Sequence, residues 1–235
     1  MILIVAAHPD DEVLGCGGSI ARHAQTDHEV YLIIMADGVT SRSYNPDYAI
    51  PREKEIELNK IDIAKRKNET MKSSMLLGIQ TEHIYHLNLA DQRLDQYPLL
   101  DLAKRIEKIK KNIQPEIVYT HFWNDLNLDH RLTFQAVATA FRPGPKQQNV
   151  SFYQFEVPES TYLSVPHRRS AFIPDHFVDI SHTLDLKLKA LEIYESERRE
   201  YPDMRSSRFI KELAQERGKI KNFKYAEAFL ELKDG

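Results

Sequence analysis

The chain has 235 residues, of which 42% are hydrophobic and 29% are charged, and its formal net charge at pH 7 is −3. These values are typical of one soluble globular domain, and the small negative charge gives no indication of nucleic-acid binding. The single cysteine, Cys16, excludes an intrachain disulfide and a zinc site of several thiolates, and without a run of roughly 20 apolar residues we expect a cytoplasmic protein with no membrane span.

Short apolar runs alternate with amphipathic stretches along the chain, which predicts a largely parallel sheet with helices on both faces. The first run, Ile2–Ala6, is uninterrupted and rich in β-branched residues, as in a strand buried on both sides. Further strands are predicted at residues 30–35, 83–87, 117–120, 152–155 and 176–180.

Helical periodicity is clearest in residues 101–113, where leucine or isoleucine returns every third or fourth position. A long helix is predicted at about 53–77, and Gly78 suits its C-terminal cap. Further helices are predicted at residues 131–141, 184–200 and 207–217. The charge run 195–200 is expected to be a solvated helix face.

Two stretches are predicted to be loops. Residues 40–51 offer few packing side chains, and residues 142–149 contain two prolines and a glycine, which interrupt regular structure. We expect an α/β, Rossmann-like three-layer fold in one domain of residues 1–235. The second loop then separates a core of about 1–142 from a small C-terminal elaboration of about 150–235.

A cluster of polar residues follows directly on the first predicted strand: His8, Asp10, Asp11 and Glu12. Ligands of open α/β sheets bind at the carboxyl ends of the strands. A histidine and an aspartate three positions apart can both turn toward one metal ion, which leaves Asp10 between them as a base. The alternative is that these acids only cap a helix.

A second polar cluster follows the predicted strand 117–120 and runs from His121 to His130. Because buried polar groups must be paired, this density of histidine, aspartate and asparagine needs an explanation. We favour one metal site built from both clusters, with His8, Asp11 and His130 as ligands. A catalytic zinc takes three protein ligands and leaves a position for water, whose proton Asp10 would accept.

Together these motifs resemble the PIG-L/LmbE-like zinc-dependent N-deacetylases. The opening signature of that family is similar to residues 8–12 followed by glycine-rich residues 15–18, and its second signature is similar to residues 129–131. Weaker similarity covers the Arg-x-x-Glu helix at 66–69, Asp91, and the C-terminal residues 177–180 and 226–229.

The resemblance implies a Rossmann-like fold and removal of an N-acetyl group from a glucosamine-type sugar or sugar conjugate. It implies Zn²⁺, or another divalent metal, bound by His8, Asp11 and His130. Asp10 is then the general base, and Asp129 belongs to the catalytic signature. The implied partner is an N-acetylated amino sugar, and the question whether the chain forms a homo-oligomer is left open.

One position departs from the family pattern. Members commonly carry a histidine where this chain has Asn127. An amide can donate a hydrogen bond to an oxyanion, but it cannot deliver a proton to the leaving amine. Asp10 would then return the proton that it took from water, and His121 and Asp125 are further candidates for this step.

Substrate contacts are predicted from residue type and position. Arg66 is a candidate for binding a hydroxyl or phosphate group of the substrate. The alternative is that Arg66 only forms an ion pair with Glu69 or a neighbour on the helix surface. Asp91 is a candidate for binding hydroxyls, and Trp123 for stacking on a sugar. The loop 40–51 would form one cleft wall with Arg42, Tyr44 and Tyr48, whereas Arg205 and Arg208 are expected in a solvated loop.

Other functions are weighed against this one. Residues 15–18 lack the spacing of a dinucleotide-binding loop, so these glycines are expected to allow close packing of a helix on the sheet. The same metal site could cleave another sugar- or thiol-linked amide. A receiver-like phosphoacceptor domain would use Asp37, and a sugar-binding protein without catalysis has only Asn127 in its favour.

Overall fold

The computed structural model describes residues 1–48, 50–142, 150–163 and 171–232. Its strands are β1 (Ile2–Ala6), β2 (Val30–Ala36), β3 (Ile84–Leu89), β4 (Ile117–His121), β5 (Ser151–Phe155), β6 (His176–Asp179) and β7 (Ala226–Glu231). Its α-helices are α1 (Asp11–Gln25), α2 (Arg52–Leu58), α3 (Lys60–Leu76), α4 (Leu99–Ile113), α5 (Leu128–Ala140), α6 (Pro158–Tyr162), α7 (Leu184–Glu192) and α8 (Ser207–Ile220).

The strands form one sheet in the order β3-β2-β1-β4-β5-β7-β6. The five strands β1 to β5 are parallel, whereas β7 is antiparallel to both of its neighbours, β5 and β6. The predicted α/β fold with a mostly parallel sheet is therefore confirmed.

Strand β1 lies at the centre of the three layers, because its side chains alternate between the two faces of the sheet. Ile2 and Ile4 join the core cluster that contains residues of α1 and α7. Leu3 and Val5 join the cluster on the other face, with residues of α4 and α5. Burial of each such side chain contributes about 1.5–3 kcal/mol, so the end of β1 is firmly anchored.

Helix α1 approaches the sheet closely at its glycines. A Cβ atom at Gly15 would lie 2.2 Å from the Phe155 ring of β5, and one at Gly18 would lie 2.8 Å from Ile180. The glycines therefore serve the close packing that the sequence predicts. The distances leave no room for even a methyl group at these two positions.

The helix α1 is interrupted at Cys16, where φ is −146° and ψ is 21°. Beyond this kink, the N–H groups of Gly18 and Ser19 donate to the Glu227 carboxylate of β7, at 2.9 and 2.7 Å. Lys187 Nζ of α7 donates to the same carboxylate at 2.6 Å. The C-terminal part of the chain thus supports the helix that begins at the polar cluster.

Three helix predictions are wrong in their bounds. The predicted helix 53–77 is two helices separated at Asn59, whose φ of −105° and ψ of 10° depart from helical values and whose side chain donates to Ser43 at 3.0 Å. The helix predicted at 184–200 ends at Glu192. The helix predicted from residue 131 begins at Leu128, with Asn127 as its N-cap.

The charge run 195–200 is exposed as expected except at Glu197, but it is not part of an α-helix. It contains a short 3-10 helix, Glu195–Glu197, and the side chain of Glu197 is buried against Arg42 and Arg66. Of the predicted loop 142–149, residues 143–149 lie outside the described residues. In the part of the chain that the structure describes, no helix has the length and apolar character needed to cross a membrane.

Candidate metal centre

The two polar clusters meet at the carboxyl edge of the sheet because β1 and β4 are hydrogen-bonded neighbours. From β1 the chain continues to β2 on one side, whereas β4 lies on the other side. A crevice therefore opens between the loops that follow β1 and β4, as at other points where strand order reverses in such sheets. This crevice contains a cavity of about 480 Å³.

Three side chains from the two clusters converge in the cavity: His8, Asp11 and His130. One ligand atom of each lies within 4.8 Å of the others, and all three side chains are buried. Asp11 Oδ2 is 3.1 Å from His8 Nδ1 and 3.2 Å from His130 Nε2. Two imidazoles and one carboxylate that face an open cavity fit a catalytic zinc or a similar divalent cation.

The far nitrogen of each imidazole faces another carboxylate. Asp129 Oδ2 lies 3.2 Å from His8 Nε2, and Asp125 Oδ1 lies 3.1 Å from His130 Nδ1. Such a carboxylate fixes the orientation of a metal-binding ring and increases its basicity. Asp125 is itself oriented by hydroxyl donors at 2.6 Å from Thr161 and 3.1 Å from Ser160.

His8 also belongs to a second group of close ligand atoms, with Asp91 and Asp129. Asp91 Oδ1 lies 3.3 Å from His8 Nε2, on the side of the ring away from Asp11. Asp129 already accepts the N–H of Leu94 at 3.0 Å. The first group, with its two imidazoles, is the better match to the donors that zinc prefers.

The carboxylates make this edge of the sheet favourable for positive charge. Burial opposes protonation of His8, yet hydrogen bonds to Asp11 and Asp129 raise its pKa well above the usual value. Burial also opposes protonation of His130, but Asp11 and Asp125 raise its pKa to about 9. The same carboxylates would stabilise a divalent cation bound by these residues.

Asp10 lines the cavity between the two ligand positions contributed by its own loop. It occupies the N-cap position of α1, but its side chain makes no capping hydrogen bond. Its carboxylate instead accepts from Arg205, and Arg66 Nη2 lies 3.7 Å away. Burial raises the pKa of Asp10, and both arginines oppose that rise. The structure thus leaves this carboxylate available at the cavity.

Asn127 also lines the cavity, at the start of α5. Its side-chain oxygen accepts the N–H of Asp129 at 2.9 Å and so caps the helix. Because the oxygen is used in this way, the side-chain NH₂ group is the part of Asn127 that can donate to a ligand.

The predicted substrate-binding residues divide into two sets. Arg42, Arg66 and Asp91 line the cavity. Arg66 is nevertheless 4% exposed, and it donates to the Pro9 carbonyl at 2.8 Å, so it supports the turn that carries Asp10. Within the described residues, Tyr44 and Tyr48 are not part of the cavity wall.

The other set, His121, Trp123 and Asp125, does not line the cavity. His121 is fully buried, accepts the Ala7 N–H at 2.8 Å and stacks on His130, with 3.9 Å between ring centroids. Burial and the neighbouring His130 lower the pKa of His121 well below its usual value. Trp123 is 42% exposed outside the cavity. His121 and Asp125 thus contact His130 rather than the cavity, whereas Trp123 lies at the surface.

Arg205 and Glu197 are among the cavity residues that the sequence does not mark as part of a site. Arg205 was expected in a solvated loop but contacts Asp10, and Glu197 was expected to be solvated but contacts Arg42 and Arg66. No local pattern marks either residue, because their partners lie far away in the chain. The only signal is composition: both lie in a stretch of alternating charges between α7 and α8.

Comparison with known proteins gives a match to the family model described as PIG-L: GlcNAc-PI de-N-acetylase, over residues 3–141. YaiS of Escherichia coli, described as an uncharacterized deacetylase, is 31% identical over 201 residues, which cover 83% of this chain and 90% of that protein. A 4-oxalmesaconate hydratase of Pseudomonas putida is 28% identical over 202 residues, 81% of this chain and 71% of that protein.

Among solved structures, the N,N'-diacetylchitobiose deacetylase of Pyrococcus horikoshii is similar, with a TM-score of 0.74 and 25% sequence identity. The match covers 98% of this chain and 83% of that chain. It therefore extends beyond the residues matched by the family model and includes the strands and helices that follow α5.

Proposed function

The chain belongs to the PIG-L (GlcNAc-PI de-N-acetylase) family, and on this basis we propose that it removes the N-acetyl group from an amino sugar or amino-sugar conjugate and releases acetate. The cofactor in this proposal is a divalent cation, with zinc as the first choice, bound by His8, Asp11 and His130. The observation that carries the proposal is the convergence of these three donors at the wall of one cavity.

A divalent cation held by His8, Asp11 and His130 would polarise an amide carbonyl and make water a stronger nucleophile at neutral pH. Zinc suits two nitrogen donors and one oxygen donor with an open position. Iron and cobalt accept the same donors, so the choice of metal is part of the test.

In the proposed reaction Asp10 is the general base. Its carboxylate takes a proton from the attacking water as the new C–O bond forms at the acetyl carbon. The same carboxyl group returns the proton to the nitrogen as the C–N bond breaks, which yields acetate and the amine. Arg205 contacts Asp10 and favours its ionised form before the reaction.

Asn127 is proposed to stabilise the negative charge that develops on the carbonyl oxygen, through its side-chain NH₂ group. Because Asn127 cannot act as an acid, proton delivery stays with Asp10 in this scheme. Asp91 and Arg42 are proposed to bind the sugar, since both line the cavity beside the ligand set. Asp125 and Asp129 are proposed to orient the two histidine ligands.

Hydration is a second candidate function, favoured by the hydratase relative of Pseudomonas putida. A polarising cation and a general base would also suit the addition of water to a carbon–carbon double bond, so both reactions are included in the test. The receiver-like alternative has less support, because Asp37 is bound by Arg52 and Thr40 and does not line the cavity.

The test is a substrate panel with the purified protein and one equivalent of Zn²⁺, with Fe²⁺ and Co²⁺ in parallel samples. Acetate release is measured for N-acetylglucosamine, its glycosides, diacetylchitobiose and an N-acetylated thiol conjugate, and consumption of 4-oxalmesaconate is measured in parallel. We expect acetate release from at least one N-acetyl amino sugar and none in the presence of a chelator. Turnover of 4-oxalmesaconate with no acetate from any amide would replace deacetylation by hydration.

A further inference from the structure

The residue between the two ligand positions of the first loop has an unusual backbone conformation. Asp10 has a φ of 100° and a ψ of −24°. A residue with a Cβ atom pays a free-energy cost in the left-handed region, and it persists there only where neighbouring contacts impose it. Contacts that impose the conformation of Asp10 therefore act on the position of its carboxylate.

One such contact is a buried hydrogen-bond chain. The N–H of Asp10 donates to Glu12 Oε2 at 3.0 Å, and the hydroxyl of Tyr194 donates to Glu12 Oε1. Glu12 and Tyr194 are both 0% exposed. Since the carboxylate has a partner on each oxygen, Tyr194 fixes the direction from which Glu12 meets the Asp10 amide.

The ring of Tyr194 reaches the same turn by a second route. The guanidinium of Arg66 lies 5.1 Å from the centroid of this ring, and Arg66 donates to the Pro9 carbonyl at 2.8 Å. The turn is thus held on both sides of the Pro9–Asp10 peptide. Neither Glu12 nor Tyr194 lines the cavity, so neither touches a substrate there.

We propose that Tyr194 is a positioning residue that, through Glu12, keeps Asp10 in its left-handed conformation and its carboxylate aimed into the cavity. Tyr194 lies just after α7, outside residues 3–141 that the family model matches. This inference rests on the proposed function, because it treats Asp10 as the base. Through Glu12 and the turn that carries Asp10, the C-terminal part of the chain would thus affect the reaction.

The test compares Tyr194→Phe with Tyr119→Phe. Tyr119 is an equally buried tyrosine, and its hydroxyl lies 3.0 Å from His23 Nε2, away from the turn. Both variants lose one buried hydroxyl, and Tyr194→Phe keeps the ring beneath Arg66. Because small misplacement of a reacting group costs up to about 100-fold in rate, we expect kcat to fall about 10- to 100-fold in Tyr194→Phe only. KM and metal content should stay within about twofold of the unsubstituted protein in both variants, since neither residue is placed among the ligands or on the cavity wall.

Amide hydrogen exchange at Asp10 gives a readout that needs no substrate. Exchange should become about fivefold faster or more in Tyr194→Phe, as expected for loss of about 1 kcal/mol of hydrogen-bond support, and stay unchanged in Tyr119→Phe. Glu12→Gln keeps an acceptor for the Asp10 N–H and should preserve both kcat and the slow exchange, whereas Glu12→Ala should lower kcat and speed up exchange at Asp10. Because Tyr194 is proposed to act only through Glu12, equal kcat and equal exchange in the two Glu12 variants would overturn the proposal even if Tyr194→Phe does not fold.

The outcomes separate the two proposals. If no N-acetyl amino sugar releases acetate, the proposed function fails. Amide hydrogen exchange at Asp10 then still tests whether Tyr194 positions this turn. Equal effects in the two tyrosine variants, unchanged exchange in Tyr194→Phe, or faster exchange with an unchanged kcat would each overturn the role of Tyr194.

Discussion

At the scale of a single residue, a substitution of Asp10 distinguishes a catalytic role from a structural one. In Asp10→Asn the size and the hydrogen-bonding oxygen are kept, but the group can no longer accept a proton at neutral pH. We expect acetate release to fall about 100- to 10,000-fold, the usual contribution of a general base, with metal content unchanged. Acetate assays beside elemental analysis check this, and an Asp10→Asn variant with near-normal kcat contradicts the assignment.

A second prediction concerns the carboxylates that face the far nitrogens of the two imidazoles. In Asp125→Asn the group that faces His130 Nδ1 loses its charge, so the metal affinity should fall about 10- to 100-fold. Competition with a coloured chelator measures the affinity. Asp95→Asn is the matched control, because Asp95 is exposed away from the cavity wall, and equal affinities in the two variants would exclude a supporting role for Asp125.

The three proposed ligand residues could be found in the sequence because their signals are local. His8 and Asp11 stand three positions apart after a strand, and His130 stands in an equally polar segment after another strand. Arg205 gave no such signal, since its contact with Asp10 joins residues 195 positions apart. Which carboxylates face which ring nitrogens likewise follows from three-dimensional packing and not from spacing.

At the scale of elements, the contact between α1 and β5 is set by a missing side chain. In Gly15→Ala the added methyl group would meet the buried Phe155 ring, so we expect a loss of about 1–3 kcal/mol in the free energy of unfolding. Gly17→Ala is the control in the same helix, because its nearest neighbour would be 3.2 Å away at a side-chain methyl. Urea unfolding of both variants measures the difference, and equal stabilities would contradict the tight contact.

Uninterrupted apolar runs made the central strands predictable, since strands buried on both faces typically have such sequences. The helix bounds failed where tertiary contacts compete with periodicity. One predicted helix is divided at Asn59, whose side chain donates to Ser43, and Glu197 turns inward to two arginines beyond the true end of α7. Strand β7 was absent from the predicted runs because Ala226–Glu231 mixes small, charged and apolar residues.

At the scale of the whole molecule, the site exists because strand order reverses beside β1. The sequence predicts the polar clusters, but only the pairing of β1 with β4 brings them to one crevice. The C-terminal elements contribute to the same sheet and reach the site through Arg205, Glu197 and Tyr194. Such long-range contacts explain why a description limited to the first 142 residues would leave the centre incompletely supported.

The single-domain organisation stays a prediction with a direct check. Because β5, β6 and β7 share one sheet with the N-terminal strands, we expect the metal-free protein to unfold in one cooperative step. Far-UV circular dichroism and the fluorescence of Trp123, the sole tryptophan, should give the same urea midpoint. Two separate midpoints would indicate that residues 1–142 and 150–235 fold independently.

The most direct measurement is a zinc titration of the metal-free protein, followed by acetate release from the best substrate of the panel. The account predicts activity that rises in proportion to added zinc and levels off at one ion per chain, while His130→Ala stays inactive over the same range. Full activity of the chelator-treated protein, or recovery of His130→Ala at the same one-to-one ratio, would contradict a reaction centred on His8, Asp11 and His130.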